Sequence, residues 1–373
     1  MVQIDTILVK VASRCNINCS YCYVYNMGDD SWFDMPNFIS QPVIECLINN
    51  LADVVQSQIK PFALVLHGGE PLLIGYRRLE FLFQRLRSVL PLTHVIAIQS
   101  NGMLITDKIL DLSDQYQVSI SVSLDGPEKI NDKFRIGHNG ESTYQKVISG
   151  INKLRDHQNS DFLFAGLLAV IDPTTDPSSI YYYFKSLGAK SVDFLYRDGN
   201  HDQLPFGKRA FESSEYGEWL AGLSNVYLAD SSPIRIRIID DFIRLILGGK
   251  GIKEGVGVTD FGIVVIDTDG TITKNDTLKS NFNGADRFRE KLNVGTHRLV
   301  DVFHTNEFED AHKLQKPTSE DCLNCAYVKI CGGGMPLHRW SKSNGYNNPS
   351  VYCIDQQHII KHLKDKLQNV VIS

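Results

Sequence analysis

Short apolar runs alternate with longer amphipathic ones through the first half of the chain. Ile4–Ala12 reads as a strand, and Pro42–Val55 has helical spacing, with apolar residues at Val43, Leu47, Leu51 and Val54. Phe62–Leu66, Val95–Gln99, Val118–Leu124, Phe162–Ile171 and Ser191–Tyr196 read as further strands. The segments between and after them, Tyr76–Leu90, Thr106–Tyr116, Tyr144–Asp156 and Ser178–Leu187, read as helices, with Thr106 placed to N-cap its own. Strands that alternate with helices predict β/α units around a parallel sheet. Six such units can be counted, two short of a closed eight-fold barrel.

The pattern then changes. His201–Phe211 is polar and broken by Pro205 and Gly207, as a linker would be, and Phe211–Tyr227 and Ile239–Leu247 look helical. From Gly248 onward come short strands, turns such as Asp269-Gly270 and a group of cysteines, the character of a small loop-rich domain that needs a staple. The expected division is a barrel over 1–210, a bridging helical region over 211–247 and a smaller domain over 248–373.

Composition narrows the function. The net charge is −5, with no long basic run, which argues against nucleic acid as a partner. No apolar stretch reaches 18 residues and the N-terminus has no secretory pattern, so neither a membrane span nor export is expected. The eight cysteines fall in two tight groups plus Cys46. That distribution favours metal or cluster ligation in a reducing cytoplasm over a disulfide framework. Cys46, among Ile44, Leu47 and Ile48, reads as a buried core cysteine.

The first group is Cys15, Cys19 and Cys22, spaced C-x3-C-x2-C directly after the first strand. Three thiolates leave one over from any disulfide pairing and fall one short of a closed zinc site. They suit a cubane iron–sulfur cluster with one iron left open. With Tyr21 before the last cysteine, this motif resembles the radical S-adenosylmethionine (SAM) enzymes. The resemblance implies a SAM-binding [4Fe–4S] cluster, a 5′-deoxyadenosyl radical and an open six-unit (β/α) barrel.

Other strand ends carry candidate contacts. Gly68, Gly69 and Glu70 lie in H-G-G-E-P after the second strand. Paired glycines let backbone approach a ligand closely and Glu70 offers a carboxylate to an ammonium group; in the family this stretch binds the SAM amino group. Asn101 lies in Q-S-N-G and Ser123 and Asp125 in S-V-S-L-D-G, both similar to family stretches that contact SAM or substrate, although each is also a strong turn former. Arg197, after the sixth strand, could reach the same face.

The second group is Cys322-x2-Cys325-x5-Cys331 with Cys353 beyond it, a complete set for zinc or for a cubane. It closely resembles the C-terminal SPASM domain of radical SAM peptide maturases, which carries auxiliary iron–sulfur clusters. The full pattern has two of them. The inner one needs cysteines where this chain has Asn275 and Met335, and an upstream cysteine that is also lacking. The resemblance therefore implies two [4Fe–4S] clusters in all, one binding SAM and one auxiliary. Asp276 stands where sulfatase-maturating relatives carry an Asp thought to deprotonate the substrate. Such a base works best with a pKa tuned toward neutrality.

Cys331-G-G-G-M-P-L-H-R-W-S, the stretch up to Cys353, the opening from Tyr21 to Trp32 and D-T-D-G-T-I-x-x-x-D-T-L from Asp267 are similar to the cyclophane-forming maturases of ribosomal precursor peptides. This implies a bond between an aromatic ring carbon and the β-carbon of a residue nearby. It also implies a precursor peptide with a leader as partner and an electron donor such as flavodoxin or ferredoxin. The chain begins at the first barrel strand, so leader recognition is expected to use the barrel, the C-terminal domain or a separate protein. Sactionine or formylglycine formation, and a zinc-stabilised binding module, are the other readings.

Overall fold

The computed structural model describes residues 2–372. Its contacts separate two compact units. The first takes in the chain up to Leu124, Glu128–Gly166 and Phe261–His312; the second takes in Asp125–Pro127, Leu167–Asp260 and Lys313 onward. These boundaries differ from 1–210, 211–247 and 248–373.

The first unit is a parallel sheet backed by helices. Strands β1 (Ile4–Ala12), β2 (Ala63–Gly68), β3 (Ile96–Ser100) and β4 (Val118–Ser123) lie side by side in that order. Helices α1 (Gln41–Ser57), α2 (Tyr76–Arg87), α3 (Asp107–Gln115) and α4 (Tyr144–Asp156) punctuate them. Thr106 caps α3 as expected, accepting from the Ile109 N–H, and Ser40, which the sequence reading did not name, caps α1 by accepting from the Val43 N–H. Ile7, Val9, Val11, Leu64, Leu66, Ile96 and Ile98 are almost wholly buried, so the alternating residues of these strands form the core.

Gly262–Ile266 pairs parallel to β1 on the side away from β2, and Ile272–Thr273 returns antiparallel to it. Part of the segment that follows Gly248 thus belongs to this sheet, and it carries Asp267 and Asp276 close to β1. The β1–β2 register slips between Lys10, opposite His67, and Ala12, opposite Gly68. The chain leaves β1 at that irregularity and enters the first cysteine loop.

Cys46 is half-exposed, not a core residue. Ile44, Leu47, Ile48, Leu51 and Val54 take the inner face of α1, and Cys46 falls on its flank.

In the second unit, β5 (Phe164–Val170, entering from the first unit) and β6 (Ser191–Leu195) are parallel, with Leu167 opposite Val192. Around them lie α5 (Pro177–Ser186), α6 (Glu215–Ala229), α7 (Arg237–Ile246) and α8 (Cys353–Ile372). The sequence reading did not single out α8. Gly217 of α6 is where α8 comes close: a Cβ there would lie 2.6 Å from the Asp355 carbonyl oxygen. Asp355 accepts from the Tyr216 and Gly217 N–H groups at 2.8 and 2.9 Å. Its other oxygen accepts from Lys208 Nζ at 2.6 Å, and both side chains are fully buried. One carboxylate thereby fixes the first turn of α8. Among the described residues no helix is long and apolar enough to cross a membrane.

Candidate active site

The loop after β1 is held from two sides. Cys19 begins a turn, with the Cys22 N–H donating to its carbonyl at 3.0 Å, and Asn18–Cys19 pairs antiparallel with Arg135–Ile136. The Ser20 N–H donates to Phe134 O, also at 3.0 Å, and His138 Nε2 lies 3.0 Å from Cys15 O. Arg14 folds back to donate to Trp32 O and Phe33 O, at 2.7 and 3.1 Å. Arg135 also donates to the Tyr21 hydroxyl at 3.0 Å. Sequence reasoning missed Arg135 and His138, because F-R-I-G-H has no periodicity and its partner strand is two residues long.

The three cysteines form no disulfide and lie within electrostatic reach of one another. Burial pushes Cys15 up to about 12, and the Glu70 carboxylate and the other two cysteines add to it. Burial likewise pushes Cys22 up to about 11, with Arg135 pulling the other way. A ligating cysteine must be a thiolate. Three thiolates this close, one buried and two half-buried, persist only with a compensating cation, which the irons of a cluster supply. Among the described residues no three His, Cys, Asp or Glu side chains converge as a single metal ion needs. A cubane takes each sulfur on a different iron, so the donor set fits a cluster.

The loop after β2 packs on this one. Gly68 has φ +135°, and a Cβ there would lie 2.0 Å from Ala12 O. A Cβ on Gly69 would lie 2.2 Å from Arg14 O. The Gly69 N–H donates to Ala12 O at 2.8 Å and the Glu70 N–H to Arg14 O at 3.0 Å. What the paired glycines admit within the protein is therefore the backbone leading to Cys15.

Glu70 is fully buried and points into the protein. Oε1 accepts from the Leu72 N–H at 3.0 Å and the Ser100 hydroxyl at 2.8 Å, and Oε2 accepts from the Asn101 N–H at 2.7 Å. Burial raises its pKa, against the pull of these donors. In the protein alone its carboxylate braces the ends of β2 and β3. Glu70→Gln leaves one amide hydrogen facing the Asn101 N–H and should cost about 1–3 kcal/mol. Thermal unfolding of the variant beside the parent measures this.

Asn101 is carried to the cysteines by that brace. Its Nδ2 donates to Asn16 Oδ1 at 2.7 Å and approaches Cys15 Sγ at 3.8 Å. Ser123 accepts from Gln99 Nε2 at 2.9 Å, and Asp125 Oδ1 accepts from the Val170 N–H at 3.1 Å. The Arg197 guanidinium lies over the Phe206 ring, 5.1 Å from its centre, and the residue is buried, not solvated. Thus Tyr21, Gly68, Gly69, Glu70 and Asn101 surround the first cysteines, while Asp125 and Arg197 belong to the second unit.

Asp276 is joined to the cysteine loop through Tyr23, whose hydroxyl donates to Oδ2 at 3.1 Å. Lys10 Nζ lies 3.3 Å from that oxygen and 3.5 Å from Asp267 Oδ2. A second lysine, Lys279, lies 3.1 Å from Asp29 Oδ1 and 3.3 Å from Asp286 Oδ2. All six side chains are buried, beside a cavity of about 370 Å³ that Asp267, Lys279 and Asp286 help to line. Burial opposes ionisation of Asp276, but Lys10, His67, Tyr23 and Lys279 together outweigh it and hold the carboxyl below its ordinary value of 3.8. The expected tuning toward neutrality is absent, because two buried lysines stabilise the anion. Asp286 shifts upward instead, by burial. Asn275 caps the turn over Asp276–Ser280 by accepting from the Thr277 N–H at 3.1 Å, and Met335 packs where Gly255 has no side chain.

In the second unit Cys322, Cys325, Cys331 and Cys353 are free and within mutual electrostatic reach. Burial pushes Cys331 up to about 12. These four again form a partly buried, sulfur-only donor set that ligation would have to deprotonate, and it suits a cubane as the first set does.

Comparison with known proteins agrees with this geometry. Residues 9–176 match the model of the Radical SAM superfamily. A cysteine-type anaerobic sulfatase-maturating enzyme of Clostridium perfringens is 24% identical over 374 residues, covering 98% of each chain. A serine-type one of Bacteroides thetaiotaomicron is 24% identical, over 90% of this chain and 84% of its own. Among solved structures, native anSMEcpe with bound AdoMet has a TM-score of 0.83 at 22% identity, covering 98% of each chain. Streptococcus suis SuiB bound to precursor peptide SuiA has a TM-score of 0.65 at 13% identity, over 94% of this chain and 76% of its own. The fold is thus the α/β class expected, a partial barrel of the radical SAM type. A parallel α/β scaffold with three cysteines outside any disulfide at a strand end defines an enzyme that works with SAM and [4Fe–4S] clusters. Residues 9–176 are a Radical SAM domain.

Proposed function

We propose that this enzyme modifies a peptide, and that its product is a cyclophane: an aromatic ring carbon joined to the β-carbon of a nearby residue. Full-length likeness to sulfatase-maturating enzymes, together with likeness to a peptide-bound maturase, supports a peptide or protein substrate. The observation that carries the crosslink is the Lys10–Asp267–Asp276 cluster, with Asn275 as a cap. Asn275, where the SPASM pattern has an inner-cluster cysteine, here caps the turn that carries Asp276 into this charged group.

In this reading Cys15, Cys19 and Cys22 hold the SAM-binding cluster, and Cys322, Cys325, Cys331 and Cys353 hold one auxiliary cluster. When bound, the first cluster and SAM supply a 5′-deoxyadenosyl radical that takes a hydrogen atom from the substrate. Tyr21, Gly68, Gly69, Asn101, Ser123, Asp125 and Arg197 shape the SAM and substrate pocket, and Glu70 keeps its loops in place. Asp276, ionised and oriented by Tyr23, takes the ring proton as the aromatic residue regains its aromaticity. A cluster held by Cys322, Cys325, Cys331 and Cys353 would supply the acceptor for the electron released at that step. A ribosomal precursor peptide is the partner, and flavodoxin or ferredoxin is the reductant.

Formylglycine formation is the second reading, favoured by 24% identity to sulfatase-maturating enzymes over nearly the whole chain. One experiment separates the two. The enzyme is co-expressed with the small precursor expected to be encoded beside its gene and, separately, with a sulfatase-motif peptide, and each product is analysed by tandem mass spectrometry. Loss of two hydrogens with fragments missing between an aromatic residue and its neighbour supports the crosslink. Conversion of the sulfatase peptide at its cysteine or serine, with an unaltered precursor, removes it.

A further inference from the structure

The first turn of α8 carries more than a cysteine. Gln357 is four residues beyond Cys353, on the same face of the helix, and its Nε2 donates to Cys353 Sγ at 3.3 Å. Gln356, almost wholly buried, reaches across to Cys331, with Oε1 2.7 Å from Sγ. Two consecutive carboxamides thus end on two different sulfurs of the four-cysteine group. Backbone donors complete the surroundings: the Tyr327 N–H points at Cys325 Sγ at 3.4 Å, and the Gly333 N–H at Cys331.

The Gln356 contact is informative about the sulfur. A free thiol can donate to a carbonyl oxygen, as it does here. A thiolate bound to iron has no proton to give and asks for a donor, and the same carboxamide has one at its other end. The oxygen and nitrogen of such a group are told apart only by the hydrogen bonds they make. Hydrogen bonds to cluster sulfur favour the reduced state, which carries one more negative charge, and so raise the reduction potential.

We infer that Gln356 and Gln357 are positioning residues for the auxiliary cluster, donating to Cys331 and Cys353 and holding its reduction potential up. This rests on the reading of Cys322, Cys325, Cys331 and Cys353 as ligands of a [4Fe–4S] cluster. The couple is a one-electron step: the reductant gives one electron to the cluster, and no bond forms or breaks. A raised potential favours landing on this cluster the electron that the maturing peptide releases. It also makes return of that electron to the substrate less favourable. Asp355, between the cysteine and the two glutamines, fixes the turn that aims them.

The test needs no peptide. The Cys15→Ala/Cys19→Ala/Cys22→Ala variant of the full chain isolates the auxiliary site. Its iron and sulfide are counted, and it is titrated with dithionite through redox mediators while the reduced signal is followed by electron paramagnetic resonance. Should that variant not fold, the enzyme with both clusters is titrated with SAM present, which sets the first cluster's signal apart. Gln357→Leu and Gln356→Leu keep bulk and remove the donors. Each should lower the reduced-to-oxidised ratio at fixed potential about tenfold, a shift of about 59 mV for one electron. Gln357→Glu, equal in shape but without a donor, should move the midpoint further the same way. Four irons per chain with an unmoved midpoint in both leucine variants overturns the inference. Zinc or no metal in the isolating variant removes instead the ligand reading beneath it.

Discussion

Replacing Asp276 with Asn is expected to cut product formation by about 10²–10⁴-fold, the usual worth of a positioned general base. The Asn side chain keeps the hydrogen bond to Tyr23 and fills the same space, so iron content, SAM binding and reductive SAM cleavage should stay at parental values. Assaying these beside peptide conversion decides the matter: conversion at the parental rate takes Asp276 out of the mechanism. The pH dependence adds a second check. Lys10 and its neighbours hold the carboxyl below 3.8, so it is ionised throughout the neutral range. A rate profile between pH 6 and 9 should therefore have no inflection that disappears in Lys10→Met. The sign for stability follows from the same shift. A depressed carboxyl contributes stability above its unfolded value, and that contribution is lost as the pH falls through the lower folded value. The parent should therefore gain more stability than Asp276→Asn as the pH rises from about 3 to 5, by denaturant titration.

Asp355→Asn is the substitution expected to damage the fold most. It strands the Lys208 ammonium in a fully buried site, where an uncompensated charge costs about 3–5 kcal/mol. The remaining oxygen can still accept from Tyr216 and Gly217, so the loss is electrostatic, not a matter of shape. Urea unfolding of the cluster-loaded enzyme measures it. Lys208→Met combined with Asp355→Asn should recover a good part, since it removes the unpaired charge and keeps the oxygen that accepts from Tyr216 and Gly217. A double variant as unstable as the single one would show that the stranded ammonium is not the source of the loss.

The sequence carried the elements and the chemistry better than the connections between them. Strand β1, the helices and the Thr106 cap could be read because periodicity and capping are local signals. Both cysteine groups could be read because spacing is local too. Lys10 could not. It sits in an apolar strand and gains its meaning from Asp267 and Asp276, which most of the chain separates from it. The direction of the Asp276 shift was lost with it. Glu70 illustrates a different gap: the motif marks the residue, but only the fold reveals the three internal donors on its carboxylate. Cys46 was misjudged by apolar neighbours that turn to another face of the same helix.

The anchoring of α8 bears on how the enzyme is assembled and repaired. Cys353 belongs to a turn that Asp355 ties down through protein contacts alone. None of these contacts involves a sulfur, so loading that site with iron and sulfide is expected to need no refolding of the helix that supplies the ligand. Oxygen damage that strips the metal would leave the scaffold standing, ready to be rebuilt by anaerobic reconstitution without passing through denaturant.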